Sequence, residues 1–314
     1  MKPDLLSVAA LPPPQMAELD KDFTIRNLPP PGGEREALLS SIGATTRFMQ
    51  TTGFHGADAK LISAFPKLEI IACFGVGVDA VDVGFATSKG IAVTNTPEVL
   101  NDCVADLALG LILAVSRRLV VADNYVRAGK WASQGSMPLA TKVSGKKLGI
   151  LGLGRIGKEI AARAAGFKME IGYCGRKPQS GVSYRYFHAL TGLAAWSDFL
   201  VVICPGGAAT KGIVNRQVME ALGPKGVLVN VARGSVVDEP ALVEALQAGK
   251  LGGAGLDVFV DEPKVPAELM TMESVVLAPH IGSATTETRK AMADLVVANL
   301  KAHLRGENLP TRYN

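Results

Sequence analysis

Three polar side chains in the second half of the chain, Arg233, Asp257 and His280, each follow a short apolar run that is typical of a buried strand. Because ligands bind outside the carboxyl ends of the strands in an open α/β sheet, these side chains are expected to converge on one crevice. An arginine there could bind a carboxylate and lie beside a carbonyl, and a histidine could donate a proton. Reduction of a 2-oxo acid by hydride requires both groups, so the residues favour this chemistry.

A carboxylate is available for the histidine. Glu262 lies in the loop Asp261-Glu262-Pro263, which is short enough to bring its side chain toward His280. Such a contact would fix the orientation of the imidazole and favour its protonated form near neutral pH. A lone histidine is more often structural, but the strand-end position favours His280 over the histidines elsewhere in the chain. The sequence therefore predicts Arg233, Glu262 and His280 as the catalytic residues.

A glycine-rich hexapeptide, Gly-Leu-Gly-Arg-Ile-Gly, occupies residues 152–157 between a predicted strand and a predicted helix. Gly152 would allow a tight turn, Gly154 would let backbone N–H groups approach a pyrophosphate, and Gly157 would let the helix pack closely on the strand. This context predicts a dinucleotide-binding loop, although a glycine-rich loop without a ligand is the alternative.

The strand after this motif lacks the acidic residue that would accept the adenosine ribose hydroxyls. Predicted at residues 169–173, it runs into Cys-Gly-Arg-Lys at positions 174–177. Arg176 and Lys177 would attract a 2′-phosphate, so the sequence predicts NADP (NADPH) rather than NAD as the cofactor. A solvated pair of basic residues in a loop is the alternative.

The elements that must position these residues alternate strands with helices in two blocks, which predicts parallel α/β sheets. The first block has strands at residues 5–9, 23–25, 47–49, 69–73 and 91–94, and the second at 148–151, 169–173, 199–203, 227–231, 255–258 and 275–278. A long helix is expected to begin at Pro97-Glu98, capped by Thr96, and an amphipathic helix to span residues 286–304.

These elements divide into two predicted domains. Residues 98–285 are expected to form a Rossmann-type, doubly wound dinucleotide-binding domain. Residues 1–97 and 286–314 are expected to form a discontinuous, flavodoxin-like substrate domain. We expect the substrate to bind between the domains, with hinges at residues 95–97 and 282–285.

Composition excludes several other classes of protein. The net charge of +4 is too small for a nucleic-acid surface, and the four cysteines are too widely spaced for a zinc site or a disulfide framework. The N-terminus does not resemble a signal peptide, and the longest apolar run, residues 107–115, is too short to span a bilayer. We therefore expect a soluble, cytoplasmic protein without a metal site and without nucleic-acid or membrane partners.

Four blocks of sequence together resemble the D-isomer-specific 2-hydroxyacid dehydrogenase family. They are residues 152–157, Val-Asn-Val-Ala-Arg-Gly at 229–234, Gly-Leu-Asp-Val-Phe at 255–259 with Glu262-Pro263, and Ala-Pro-His-Ile-Gly at 278–282. Within the family, the basic Arg176-Lys177 pair and residues 101–106 most resemble the NADPH-dependent glyoxylate/hydroxypyruvate reductases.

The resemblance implies a role for each matching position. Arg233 would bind the substrate, His280 would be the acid/base with Glu262 as its partner, and Asp257 would meet the nicotinamide carboxamide unless it is only a loop anchor. Val76 and Gly77 would hold the small anionic 2-oxo acid through their backbone N–H groups, together with Arg233 and His280. The implied cofactor-binding residues are Gly152, Gly154, Arg155, Ile156, Gly157, Arg176, Lys177, Pro205, Thr210, Val231, Ala232, Asp257 and Gly282.

The family is usually dimeric, so the resemblance also implies a homodimer formed through residues 98–137. Trp131 would then project toward the neighbour's active site or be buried in the interface. Two other functions stay open: reduction of a larger 2-oxo acid, such as 2-ketogluconate or phenylpyruvate, and nucleotide sensing without turnover.

Overall fold

The computed structural model describes residues 2–314 and consists of two compact units. Unit 1 contains the residues up to Leu100 together with Thr285–Asn314, and unit 2 contains Asn101–Ala284. The sequence prediction placed the boundaries after residues 97 and 285.

Two all-parallel sheets form the centres of the units. Their strands are β1 (Asp4–Ser7), β2 (Thr24–Asn27), β3 (Phe48–Thr52), β4 (Ile70–Phe74) and β5 (Ala92–Thr94) in unit 1, and β6 (Lys147–Leu151), β7 (Glu170–Cys174), β8 (Arg185–Phe187), β9 (Phe199–Val202), β10 (Val227–Asn230), β11 (Gly253–Leu256) and β12 (Val275–Leu277) in unit 2. Each predicted strand overlaps one of these, and β8 was not predicted.

Helices connect the strands in both units. They are α1 (Pro13–Asp20), α2 (Gly33–Ile42), α3 (Ala59–Ser63), α4 (Val83–Ser88), α5 (Asn101–Ser116), α6 (Leu119–Arg127), α7 (Lys130–Gln134), α8 (Arg155–Gly166), α9 (Leu190–Trp196), α10 (Arg216–Leu222), α11 (Glu239–Gln247), α12 (Ala267–Thr271) and α13 (Thr286–Leu304), with a 3₁₀ turn at Gly234–Val236. No helix in residues 2–314 is both long enough and apolar enough to cross a membrane.

The strand orders identify both sheets as doubly wound. The order in unit 1 is β2-β1-β3-β4-β5, which is the flavodoxin-like order. The order in unit 2 is β12-β11-β10-β9-β6-β7-β8, with the direction of winding reversing between β6 and β9. The prediction of an α/β fold with a Rossmann-type sheet and a flavodoxin-like sheet is therefore confirmed. In such a sheet the switch point lies where β6 and β9 end, so ligands are expected near these strand ends.

The final helix completes the core of unit 1. Ala293, Val296 and Leu300 of α13 are buried in one apolar cluster with residues of β1, β3 and β4. Beyond the helix the chain runs antiparallel to β5, where the Tyr313 N–H donates to the Val93 carbonyl at 2.8 Å. One edge of the unit 1 sheet is thus covered by the last residues of the chain.

The long helix after the first block begins later than predicted. It starts at Asn101, because Glu98 adopts a left-handed backbone conformation with φ of 72° and so cannot continue a right-handed helix. Thr96 does not cap it: its N–H donates to the Gly75 carbonyl, and its buried hydroxyl has no hydrogen-bond partner. The helix ends at Ser116 and does not continue into α6, because Arg118 between them adopts a left-handed backbone conformation with φ of 52°.

Candidate active site

The three predicted strand-end residues lie at the carboxyl ends of three adjacent strands. Arg233 follows β10, Asp257 follows β11 directly, and His280 follows β12. Since β10, β11 and β12 are neighbours in the sheet, the side chains come to one edge of unit 2. The topology thus brings a guanidinium, a carboxylate and an imidazole to the same end of the sheet.

His280 is paired with Glu262. Nδ1 of His280 lies 2.7 Å from Oε2 of Glu262, and the other carboxylate oxygen accepts a hydrogen bond from the Phe259 N–H at 3.1 Å. The imidazole side chain is 42% exposed, whereas that of Glu262 is only 17% exposed. The Phe259 N–H therefore holds the Glu262 carboxylate in place, and the His280 ring that this carboxylate orients remains accessible to solvent.

The charges around Glu262 keep it ionised. Burial by itself would raise the pKa of this carboxyl group. Its hydrogen bonds with His280 and with the Phe259 N–H, together with the positive charges of His280 and Arg233, outweigh that effect and lower the pKa below its ordinary value. At neutral pH the site therefore contains a carboxylate in the field of two potential cations.

The turn that carries His280 has an unusual backbone. His280 has a φ of 53°, a left-handed conformation that side chains with a Cβ rarely adopt. Its N–H donates to the Asp257 carbonyl at 2.8 Å, while the Asp257 carboxylate accepts from the N–H groups of Ile281 at 2.6 Å and Gly282 at 2.8 Å. The surrounding hydrogen bonds thus hold the histidine in a conformation that it would not adopt alone.

Asp257 is buried, with 2% of its surface exposed. Burial raises the pKa of its carboxyl group, and the two backbone N–H groups offset only part of the increase. Because both carboxylate oxygens bind the turn after His280, these contacts support the loop-anchor alternative for Asp257. Its contact with a nicotinamide stays a prediction.

Two residues that were not predicted as site residues, Asn230 and Glu239, hold the backbone around this site. The Asn230 side chain, which is 1% exposed, accepts from the Ala232 N–H at 3.1 Å and donates to the Arg233 carbonyl at 3.0 Å. On the other side, Glu239 accepts from the Val260 N–H at 3.2 Å. Burial raises the pKa of Glu239, and the charge of Asp261 adds to the effect. The only sequence signal was the polar Asn230 at the end of an apolar strand.

Gly234 lets the turn formed by Arg233 and residues 234–236, called the arginine turn below, pack against the loop that carries Glu262. A Cβ at this position would lie 1.9 Å from the carbonyl carbon of Phe259 and 2.4 Å from the nitrogen of Val260. Two backbone segments therefore touch where any other residue type would separate them. The arginine and the Glu262 carboxylate are consequently held at a fixed separation by direct main-chain packing.

The glycine-rich loop lies between β6 and α8 and fits a dinucleotide. Gly152 has a φ of 102°, and a Cβ there would lie 2.8 Å from the backbone of Cys204. A Cβ on Gly157 would lie 2.3 Å from the Gly152 carbonyl oxygen, whereas Gly154 is exposed with no atom within 4 Å of its Cβ position. Arg155 and Ile156 begin the helix. The loop therefore leaves open space at a helix N-terminus, where a pyrophosphate binds favourably.

Cys174 and Cys204 lie at the ends of the strands on either side of β6. Burial raises the pKa of the Cys204 thiol to about 11 and raises that of Cys174 as well. Both side chains are therefore neutral thiols at physiological pH and act as small apolar residues beneath the glycine-rich loop.

Arg176 and Lys177 are exposed in the loop that follows β7. The loop is tied to its surroundings by Tyr186 and Gln179, which sequence reasoning also missed. The Tyr186 hydroxyl donates to the Gly175 carbonyl at 3.1 Å, and the Gln179 side-chain amide donates to the Leu153 carbonyl in the glycine-rich loop. The loop that carries the basic pair is thus hydrogen-bonded to the glycine-rich loop through Gln179.

The remaining predicted residues lie in three places. Pro205 and Thr210 contact each other in the loop after β9, where the Thr210 hydroxyl donates to the Pro205 carbonyl at 2.7 Å. Val231 and Ala232 are buried after β10. Val76 and Gly77 belong to unit 1, in the loop after β4, where the Asn95 side chain donates to the Val76 carbonyl at 2.8 Å. Within residues 2–314, no cluster of His, Cys, Asp and Glu side chains could hold a metal ion.

Comparison with known proteins agrees with this arrangement. Residues 109–282 match the family model described as D-isomer specific 2-hydroxyacid dehydrogenase, NAD binding domain. The chain is 54% identical to glyoxylate/hydroxypyruvate reductase A of Arabidopsis thaliana over 88% of each chain. It is 52% identical to hydroxyphenylpyruvate reductase of Plectranthus scutellarioides over 94% of this chain and 93% of that one.

A similar solved structure is the NADPH-dependent glyoxylate/hydroxypyruvate reductase from Sinorhizobium meliloti in complex with NADP and malonate. It has a TM-score of 0.94 and 43% sequence identity, covering 100% of this chain and 97% of that chain. The resemblance inferred from the four sequence blocks is therefore confirmed. The chain belongs to the D-isomer specific 2-hydroxyacid dehydrogenase family and is a nicotinamide-dependent oxidoreductase.

Proposed function

We propose that the protein is an NADPH-dependent reductase that converts small 2-oxo acids, such as glyoxylate and hydroxypyruvate, into 2-hydroxy acids. The observation that carries this proposal is the 2.7 Å contact between His280 and Glu262, at the same sheet edge as Arg233. The names of the Arabidopsis and Sinorhizobium relatives add support.

Each residue of the group has a distinct task. When bound, a reduced nicotinamide would supply the hydride for the carbonyl carbon. Arg233 binds the substrate carboxylate and lies beside the carbonyl oxygen, where its charge stabilises the developing alkoxide. His280 donates the proton that this oxygen needs, from Nε2, because Nδ1 is engaged by Glu262. Glu262 orients the ring and stabilises its charged form. Val76 and Gly77 are proposed to bind the substrate carboxylate through their N–H groups.

The residues proposed to hold the cofactor are those of the glycine-rich loop and of the neighbouring strand ends. They are Gly152, Gly154, Arg155, Ile156, Gly157, Arg176, Lys177, Pro205, Thr210, Val231, Ala232, Asp257 and Gly282. Gly175 stands where an NAD-binding relative would have a carboxylate, so Arg176 and Lys177 would meet a 2′-phosphate without repulsion. One charge-assisted hydrogen bond contributes roughly 1.5–3 kcal/mol, which even after a discount for exposure favours NADPH by about 10- to 100-fold.

Specificity constants for NADPH and NADH test the cofactor choice. The wild type should prefer NADPH, and Arg176→Ala should lose more of that preference than Lys177→Ala, because a guanidinium can bind the phosphate and also stack on the adenine. Lys225→Ala is the matched control, since Lys225 is an exposed cation at the opposite, amino-terminal end of the strands. Equal use of NADH by the wild type would refute the assignment.

A reductase of a larger 2-oxo acid is the second candidate, favoured by the 52% identity to hydroxyphenylpyruvate reductase. Specificity constants for glyoxylate, hydroxypyruvate, phenylpyruvate and 2-ketogluconate separate the two. A preference for phenylpyruvate or 2-ketogluconate would replace the small substrate in the proposal. Cofactor binding without oxidation of NADPH by any of these acids would instead indicate a nucleotide sensor.

We also propose that the protein is a homodimer. Five large apolar side chains between α6 and the segment after α7 are half to fully exposed, which is typical of an interaction surface. They are Leu119 at 51%, Val120 at 51%, Val126 at 54%, Trp131 at 63% and Leu139 at 99%. Light scattering should give a dimer for the wild type and a larger monomer fraction for Val126→Asp. A monomeric wild type would show that these apolar side chains do not bind a second copy of the chain.

A further inference from the structure

The loop that carries the basic pair, residues 175–179, is held at both of its ends by side chains from outside it. At the first end, the Tyr186 hydroxyl on β8 donates to the Gly175 carbonyl at 3.1 Å. At the other end, the Gln179 N–H donates to the Tyr173 hydroxyl on β7 at 2.8 Å. Arg176 and Lys177 lie between these two attachments, so their backbone cannot move independently of the sheet.

The attachments form one connected cluster. The rings of Tyr173 and Tyr186 are in contact, with centroids 5.3 Å apart, and Tyr173 is 2% exposed. The Gln179 side-chain amide donates to the carbonyl of Leu153, which lies between Gly152 and Gly154, and so links the cluster to the glycine-rich loop. The cluster therefore sets where the basic pair stands relative to the loop that would hold the pyrophosphate.

We propose that Tyr186 and Gln179 are positioning residues that determine the preference for the 2′-phosphate, by fixing the 175–179 loop relative to the glycine-rich loop. The inference rests on the proposed choice of NADPH. A guanidinium binds phosphate through a planar fork, so its contribution depends on the position of its backbone. A nucleotide without the 2′-phosphate makes no such contact, and its binding does not depend on this part of the loop.

Calorimetric binding of 2′,5′-ADP and 5′-AMP tests the inference without catalysis. These two nucleotides differ only in the 2′-phosphate, so the ratio of their dissociation constants measures its recognition. Tyr186→Phe removes one hydroxyl, and Gln179→Met removes one amide while keeping the length of the side chain. Tyr184→Phe is the matched control, because Tyr184 is in the same segment but makes neither of these hydrogen bonds.

We expect the wild type to bind 2′,5′-ADP more tightly than 5′-AMP. The ratio is the Kd of 5′-AMP divided by the Kd of 2′,5′-ADP. Since one hydrogen bond contributes about a factor of five, each variant should lower this ratio by roughly fivefold, with the Kd of 5′-AMP changed by less than about twofold. The ratio of specificity constants for NADPH and NADH should fall by the same factor, while Tyr184→Phe leaves both ratios unchanged.

Three results would overturn the inference. Variants that keep the wild-type ratio would show that the cluster does not position the basic pair. An equal loss of affinity for both nucleotides would reduce Tyr186 and Gln179 to a general structural role. A wild type that binds both nucleotides equally would refute the choice of NADPH itself, and the inference with it. Because Gln179 lies in a surface loop, its variant gives a folded test even where Tyr186→Phe lowers the Tm.

Discussion

Replacing Gly234 by alanine tests whether the arginine turn and the Glu262 loop act as one assembly. The added Cβ would lie 1.9 Å from the Phe259 carbonyl carbon and 2.0 Å from its oxygen, both of them main-chain atoms. Carbon atoms in contact are normally about 3.5–4.0 Å apart, so the two segments must separate by roughly 1.5 Å. The Phe259 N–H that holds Glu262 moves with them.

The expected loss is larger in turnover than in stability. A misplacement of about 1 Å can lower the rate by about 100-fold, so kcat with hydroxypyruvate at saturating NADPH should fall by about that factor. Overpacking costs about 1–3 kcal/mol, which corresponds to a Tm lowered by roughly 2–12 °C for a domain of this size. NADPH binding, measured by fluorescence titration, should fall by a much smaller factor than kcat, because the glycine-rich loop between β6 and α8 is not displaced and only Val231, Ala232 and Asp257 adjoin the displaced segments.

Gly192→Ala is the matched control. Gly192 lies inside α9, where an added Cβ would meet only Phe187 at the ordinary distance of 3.8 Å. Alanine is favoured over glycine in a helix by about 0.5–1 kcal/mol, so this variant should have a slightly higher Tm and an unchanged kcat. A Gly234→Ala enzyme that keeps kcat within about threefold of the wild type would show that the close approach does not position the site.

Three further predictions concern the catalytic group. His280→Gln should lower kcat by about 100- to 10,000-fold with NADPH binding nearly intact, as fluorescence titration and steady-state kinetics can show, and a mutant with most of its turnover would remove His280 from the mechanism. Glu262→Gln should lower kcat and remove the acid limb of the pH–rate profile that reports protonation of this carboxyl group, whose pKa lies below its ordinary value because of its contact with His280; an unchanged profile would exclude this coupling. Arg233→Lys should lower kcat/KM for hydroxypyruvate at least tenfold, because an ammonium cannot form the bidentate contact, and a near-wild-type value would place the carboxylate clamp elsewhere.

The strand ends could be predicted from sequence because each is an apolar run that stops at a polar residue. Arg233, Asp257 and His280 are placed by that rule alone once the sheet is parallel. The contact of Glu262 with His280 was also accessible, because a loop of a few residues limits where the carboxylate can reach. In these cases short local sequence determines the position of the side chain.

The parts that sequence reasoning missed depend on contacts without a local signal. The strand Arg185–Phe187 is only three residues long and has no apolar alternation, so neither β8 nor the role of Tyr186 could be predicted. The late start of α5 has a similar cause. Pro97 and Glu98 suit the first turn of a helix. The tertiary hydrogen bond from the Thr96 N–H to the Gly75 carbonyl instead holds this segment in a non-helical conformation.

The placement of α13 has a consequence for the order in which the chain folds during synthesis. Unit 2 is continuous, so all its strands have been made once Ala284 is added. Unit 1 cannot complete its core at that stage. Its apolar sheet face, which contains Leu5, Phe48 and Ile70, packs against α13, and α13 is translated only after the whole of unit 2. Until then only α1, through Leu19, can cover this face, so the part that α13 buries is exposed and prone to aggregation on the nascent chain. Unit 1 therefore begins before unit 2 and is completed after it.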